Sequence, residues 1–181
     1  MSAETPTRDA SGDGPAGPAR EVLTRSEAET ALLGRLLGQL ARPGDVIALA
    51  GPLGAGKTCL AHGVARGMGI VEPVPSPTFN LLLVHAGDAP LYHFDLYRLE
   101  RASQLDDIDF YETLESDGVS VVEWADRFPD QLPDDRLDVS LAPEGETARR
   151  VVLEPRGARG EQLTETVLEA WEHARGEERR P

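Results

Sequence analysis

Gly51-Pro52-Leu53-Gly54-Ala55-Gly56-Lys57-Thr58 is the segment that most constrains how this chain can fold. Two glycines enclose four residues and are followed at once by lysine and threonine. That spacing works in one setting, where a buried strand delivers the chain into the loop and a helix leaves it. Both neighbours are present. Asp45–Ala50 is a short apolar run bounded by Gly44 and Gly51, as a buried strand requires, and Lys57–Met68 has a composition that can form a helix. The glycines let the backbone curl so that successive N–H groups converge, and the helix N-terminus adds partial positive charge, which together make a phosphate cradle. In it Lys57 reaches the outer phosphates of a nucleotide and the Thr58 hydroxyl meets Mg2+. The expected fold is α/β: a P-loop NTPase-type core, with a mixed, mostly parallel sheet flanked by helices and hairpin insertions.

Lys57 is the only lysine in the chain; the other basic residues are all arginine. A compact ammonium on a flexible stem fits among phosphate oxygens where a planar guanidinium does not. Such a loop needs a carboxylate for the metal shell at the end of a neighbouring strand. Glu123 qualifies because it follows Val119-Ser120-Val121-Val122, and Asp95 because it closes the run Leu91–Asp95. Thr78, after Pro73-Val74-Pro75-Ser76-Pro77, is a candidate switch residue for sensing the terminal phosphate or a positioned water. His93 alternates with Leu91 and Asp95 on one strand face and reads as a packed or hydrogen-bonded histidine. Trp124 is open between a lid, a partner contact and core.

Around these residues the sequence reads as one domain over 21–173, between a disordered leader at 1–20 and a flexible tail at 174–181. Thr24 or Ser26 caps a helix through Leu40, whose leucines recur at helical spacing. Leu81–His85 and Leu91–Asp95 form a hairpin in which Leu91 pairs with His85, returning Asp95 opposite Leu81. Ser103 and Asp106 resemble a capping box for a helix to about Ser116. Residues 137–142 and 149–154 form a second hairpin, and Glu161–His173 a last helix.

The net charge of −14 argues against a protein that grips nucleic acid over a broad surface. Scattered surface carboxylates matter less to a phosphate bound in a loop, since screening at physiological salt acts over about 8 Å. The single cysteine, Cys59, allows no internal disulfide and no thiolate zinc cluster. No apolar run approaches the length of a membrane span and no secretory h-region is present, so a cytoplasmic location is expected.

Gly51–Thr58, then Ser76-Pro-Thr-Phe79, then His93-Phe-Asp-Leu-Tyr-Arg-Leu99, then Val122-Glu-Trp124 resemble in order and spacing the bacterial TsaE family over about residues 24–155. The resemblance implies an ATPase, using ATP and Mg2+, required for making N6-threonylcarbamoyladenosine in tRNA. It would act with TsaB and TsaD, which handle the tRNA, and hydrolysis would reset that complex. By the same resemblance Lys57 carries over as the phosphate-binding lysine and Thr58 and Glu123 as magnesium ligands. Asp95 is a catalytic or metal-shell carboxylate, and Thr78 the switch threonine. Gly51, Leu53, Gly54, Ala55, Gly56 and Cys59 would line the nucleotide, with Glu27 and the Gly145–Arg149 stretch, Arg149 foremost, at weaker family positions. Cys59 stands where the family often has a second threonine, and Pro52 where it often has an acid.

Two rival classes find less support in the residues. A small-metabolite kinase needs an arginine-bearing lid, for which Arg98, Arg101 and Arg127 are available but no motif calls. A guanine-nucleotide switch needs an Asn-Lys-x-Asp segment, which a chain with Lys57 as its only lysine lacks.

Overall fold

The computed structural model describes residues 16–70 and 80–178. One sheet of seven strands runs through them in the order β1-β7-β6-β2-β5-β4-β3. Its centre is parallel: β2 (Val46–Ala50) lies between β5 (Val119–Glu123) and β6 (Arg136–Glu144), and β4 (Leu91–Asp95) pairs with β5 in the same sense. The edges are antiparallel, where β3 (Leu82–His85) folds back on β4, β7 (Ala148–Arg156) on β6, and β1 (Arg20–Thr24) on β7. This is the mixed, centrally parallel sheet that the loop motif demanded.

Four of the five residues of β2 are buried, and alternate side chains enter different layers. Ile47 and Leu49 join a core formed with α1 (Glu27–Leu40), α2 (Lys57–Gly67) and α4 (Gly157–Glu178). Val46 and Ala48 join a second core with Phe94, Leu96, Leu105 and Phe110 on the other face. A strand buried on both faces reads as an unbroken apolar run, which is why Asp45–Ala50 showed no alternation. Ser26 caps α1, its side chain accepting from Glu29 N.

Helices α1 and α2 cross at glycines. A Cβ on Gly34 would lie 2.2 Å from Leu60 O, and one on Gly63 would lie 2.4 Å from Ala31 O. Only hydrogen fits there, and the close crossing sets how α1 sits over the start of α2.

Three expectations are corrected. The leader is paired well before residue 20: Ala16 bridges Arg156, Gly17 N donates to Pro155 O at 2.9 Å, and β1 inserts Val22 and Thr24 between exposed neighbours. Its alternation spans too few residues to stand out beside the Gly/Pro-rich run. The last helix runs to Glu178, beyond the expected end at His173, so the tail expected from 174 is helical through 178. The helix expected from Ser103 to Ser116 is broken. Ala102–Ile108 is a 3-10 segment, Asp109 is left-handed at φ 51°, and α3 (Phe110–Leu114) follows. Its cap is the Gln104 Oε1, which accepts from Glu100 N and Arg101 N, and not the Ser103–Asp106 pair. Leu105 and Phe110 are both buried, and the turn at Asp109 lets each face the sheet.

Candidate functional site

Strand β2 ends at Ala50 and the loop Gly51–Gly56 carries the chain into α2. Gly51, Gly54 and Gly56 have φ of 134°, 76° and 104°, a region that L side chains rarely adopt. At Gly51 space forbids substitution as well, since a Cβ would lie 2.2 Å from Leu141 O. The first turn of α2 has no side-chain cap, so its amides and dipole are left to a ligand or solvent.

Three parallel strands end side by side here. Leu49 on β2 is in register with Glu123 on β5, and Glu123 with Asp95 on β4, so the expected acids stand beside the loop at the carboxyl edge of the sheet. Glu123 is 2% exposed and uses both oxygens. Oε2 accepts from Thr58 Oγ1 at 2.9 Å, and Oε1 lies 2.8 Å from His93 Nε2. Asp95 is 3% exposed; its Oδ1 accepts from Tyr97 N at 2.9 Å, while its own N–H donates to Leu81 O.

Lys57 is folded onto its own loop. Its Nζ donates to Gly51 O at 2.7 Å and Pro52 O at 2.9 Å and lies 3.7 Å from the centroid of the Trp124 ring. Burial pushes its pKa below the ordinary lysine value, while Glu123, then Asp126 and Asp95, pull it back up. Trp124 reaches this position because its backbone is left-handed, at φ 59°, directly after Glu123. Its ring also meets Tyr97 at 4.8 Å between centroids. For a bulky residue such a φ is strained, and strain of this kind gathers at functional sites.

A cleft of about 490 Å3 opens over the loop, within the range usual for small-molecule sites. It is lined by Leu53, Gly54, Ala55, Gly56, Lys57, Thr58 and Cys59 from the loop and α2, Glu27 from α1, Asp95 and Glu123 from the strand ends, and Arg149 from β7. Gly51 lies beneath it, supplying the carbonyl that Lys57 holds. Leu53, at the loop tip, is 82% exposed. Arg149 braces the loop from behind: Nε donates to Ala55 O at 3.1 Å and a terminal nitrogen to Gly54 O at 3.4 Å. Cys59 donates its S–H to Glu27 O at 3.4 Å, and burial, then Glu27, raises its thiol pKa, so it is a packing residue and not a nucleophile. Thr78 lies outside the described residues.

Sequence reasoning missed Thr30, Tyr97 and the part played by Trp124. Thr30 lines the cleft, and its hydroxyl meets that of Thr24 at 2.8 Å. Its signal was faint, a polar residue on the buried face of α1. Tyr97 lies two residues beyond Asp95, where the chain turns back over the strand end.

The donor set fits Mg2+ with a polyphosphate. Magnesium is usually held by one or two protein oxygens plus phosphate and water, not by an all-protein cage. Thr58 and Glu123 provide such oxygens beside amides disposed for phosphate. Among the described residues no group of three or more His, Cys, Asp or Glu side chains could hold a metal alone.

Comparison with known proteins gives a single answer. The family model "Threonylcarbamoyl adenosine biosynthesis protein TsaE" matches residues 24–151. The curated tRNA threonylcarbamoyladenosine biosynthesis protein TsaE of Bacillus subtilis is 40% identical over 140 residues, covering 77% of this chain and 87% of that protein. That of Treponema pallidum is 43% identical over 119 residues, covering 66% and 88%. Among solved structures, the crystal structure of Bacillus subtilis YdiB superposes with a TM-score of 0.73 at 34% identity, covering 84% of this chain and 96% of that one.

Proposed function

Because the chain belongs to the TsaE family and so to tRNA threonylcarbamoyladenosine biosynthesis, we propose that it is a Mg2+-dependent ATPase acting with TsaB and TsaD, its hydrolysis resetting their complex between rounds. The observation that carries this reading is the contact of Thr58 Oγ1 with Glu123 Oε2 at 2.9 Å, directly beside a phosphate-type loop. It brings the two protein oxygens a nucleotide-bound magnesium needs to one point.

In this reading the amides of Gly54–Thr58 hold the phosphates, and Lys57 exchanges the carbonyls of Gly51 and Pro52 for phosphate oxygens. Thr58 and Glu123 hold Mg2+, which when bound neutralises charge on the phosphate oxygens. Arg149 keeps the loop carbonyls turned outward, so the amides stay turned in. Asp95 orients the attacking water and receives its proton as the terminal phosphate separates from ADP, and Thr78 acts as the switch residue. The acidic net charge of −14 leaves tRNA to the partners. Among the described residues no helix is long and apolar enough to cross a membrane.

The test is phosphate release from ATP by the purified protein, alone and with TsaB and TsaD, with Lys57→Ala as control. Slow release that rises with the partners and disappears in the variant is expected. Phosphate found instead on a small-metabolite acceptor, with no response to the partners, would replace this reading with a kinase.

A further inference from the structure

We infer that His93 is a positioning residue for the metal-binding carboxylate: its buried Nε2 fixes Glu123 Oε1, so that Oε2 stays aimed at Thr58 and the cation beside it. This rests on the reading of the cleft as a Mg2+–nucleotide site and adds a residue to it.

The backbone creates the pair. Asp95 is in register with Glu123, and His93 with Val121 two residues earlier, so His93 and Glu123 share one face of adjacent parallel strands as diagonal neighbours. His93 is 0% exposed, and its Nε2 lies 2.8 Å from Glu123 Oε1. A carboxylate buried this deeply needs donors, because water cannot reach it to supply them. Thr58 provides one and His93 the other, at different oxygens.

The two donors stand differently toward a metal. The Thr58 hydroxyl would itself be a ligand, offering a lone pair to the cation while its single hydrogen stays available to Oε2. His93 is no ligand in this reading; it bonds Oε1, the oxygen away from Thr58, and holds the carboxylate from that side. An ionised carboxylate only accepts, so Nε2 carries the hydrogen, while Nδ1 has no hydrogen-bond partner among the described residues. The nitrogen that meets the carboxylate is Nε2, so the hydrogen of this bond sits there. Orienting partners of this kind are typically worth tenfold or more in metal affinity.

The experiment compares ADP affinity by calorimetry in Mg2+ and in EDTA for wild type, His93→Phe and His93→Gln. His93→Phe fills the volume without a donor; His93→Gln returns an N–H near the position of Nε2. Expected is a loss of about tenfold in the Mg2+-dependent gain for His93→Phe, with affinity in EDTA within about twofold of wild type and most of the gain restored in His93→Gln. An unchanged gain in His93→Phe, or equal losses in Mg2+ and EDTA, would overturn the role. Equal affinity of wild type in Mg2+ and EDTA would instead sink the reading of the site itself, and the role with it. Nitrogen NMR of the wild-type imidazole needs no variant: a protonated Nε2 is expected, and a bare Nε2 would overturn the assignment.

Discussion

The Lys57 ammonium lies 3.7 Å from the centre of the Trp124 indole, under a ring placed there by a left-handed residue at the end of β5. Cation and ring attract, and the ring and two loop carbonyls occupy the ammonium that a phosphate would take. A nucleotide bound as proposed would therefore move the surroundings of Trp124. The other tryptophan, Trp171, is carried by α4 and buried in the core. Adding Mg2+ and ADP is expected to change the tryptophan emission, and Trp124→Phe to remove that change. A response of equal size in Trp124→Phe would show that the indole is not coupled to the loop.

The depressed Lys57 pKa has a consequence for stability. Below its folded pKa the group is charged in both states. Between that value and 10.5 the unfolded chain binds more protons than the folded one, so stability rises with pH across that window. Urea midpoints of nucleotide-free wild type and Lys57→Met, compared from neutral pH towards 10.5, should show wild type gaining relative to the variant. A flat or falling difference would contradict the burial of a charged Lys57.

Gly34→Ala sets two effects against each other. Alanine is favoured over glycine in a helix by roughly 1 kcal/mol. Here its Cβ would meet a backbone carbonyl at 2.2 Å, which no rotamer relieves, and overpacking of this kind costs typically 1–3 kcal/mol. The clash wins. Thermal unfolding should fall by several degrees, and nucleotide affinity should weaken with it, because α1 and α2 both line the cleft. A rise in midpoint would mean that the helices part without cost.

At the other end of β2, Arg159 forms a two-pronged bond with Asp45, at 2.8 and 2.6 Å, and donates to Leu40 O. That one guanidinium ties α4 to α1 and the sheet, and the hydrogen bond to Asp45 raises its pKa. Asp45 is buried but Arg159 is partly exposed, so the loss on Asp45→Asn is set at about 1–2 kcal/mol, below the 3–5 of a fully buried pair. Denaturation should show that drop while ADP affinity stays as in wild type. A matching loss of affinity would reveal coupling across the sheet.

Much of this was legible in the sequence because the loop motif dictates its neighbours. Gly51–Thr58 required β2 and α2, and the hairpin register that placed Asp95 opposite Leu81 holds, as Asp95 N donates to Leu81 O. What escaped has physical causes. The strand β1 carries its signal in Val22 and Thr24 alone, too short a pattern to compete with the leader's composition. The break at Asp109 depends on burying Leu105 and Phe110 together, which is a tertiary demand. Trp124 was unreadable because its role follows from a backbone angle; His93 is the packed, hydrogen-bonded histidine that its alternation suggested, but its partner could not be named because it lies on another strand.

Resetting of the modification complex by hydrolysis at this site is the proposal with the furthest reach. Its most direct test is tRNA threonylcarbamoylation by TsaB and TsaD with an activated threonylcarbamoyl donor, ATP and Mg2+, followed over many rounds with wild type or Lys57→Ala. Repeated turnover with wild type, and arrest after a single stoichiometric round with Lys57→Ala, is predicted. Equal sustained turnover with the variant, or with this chain left out, would contradict it.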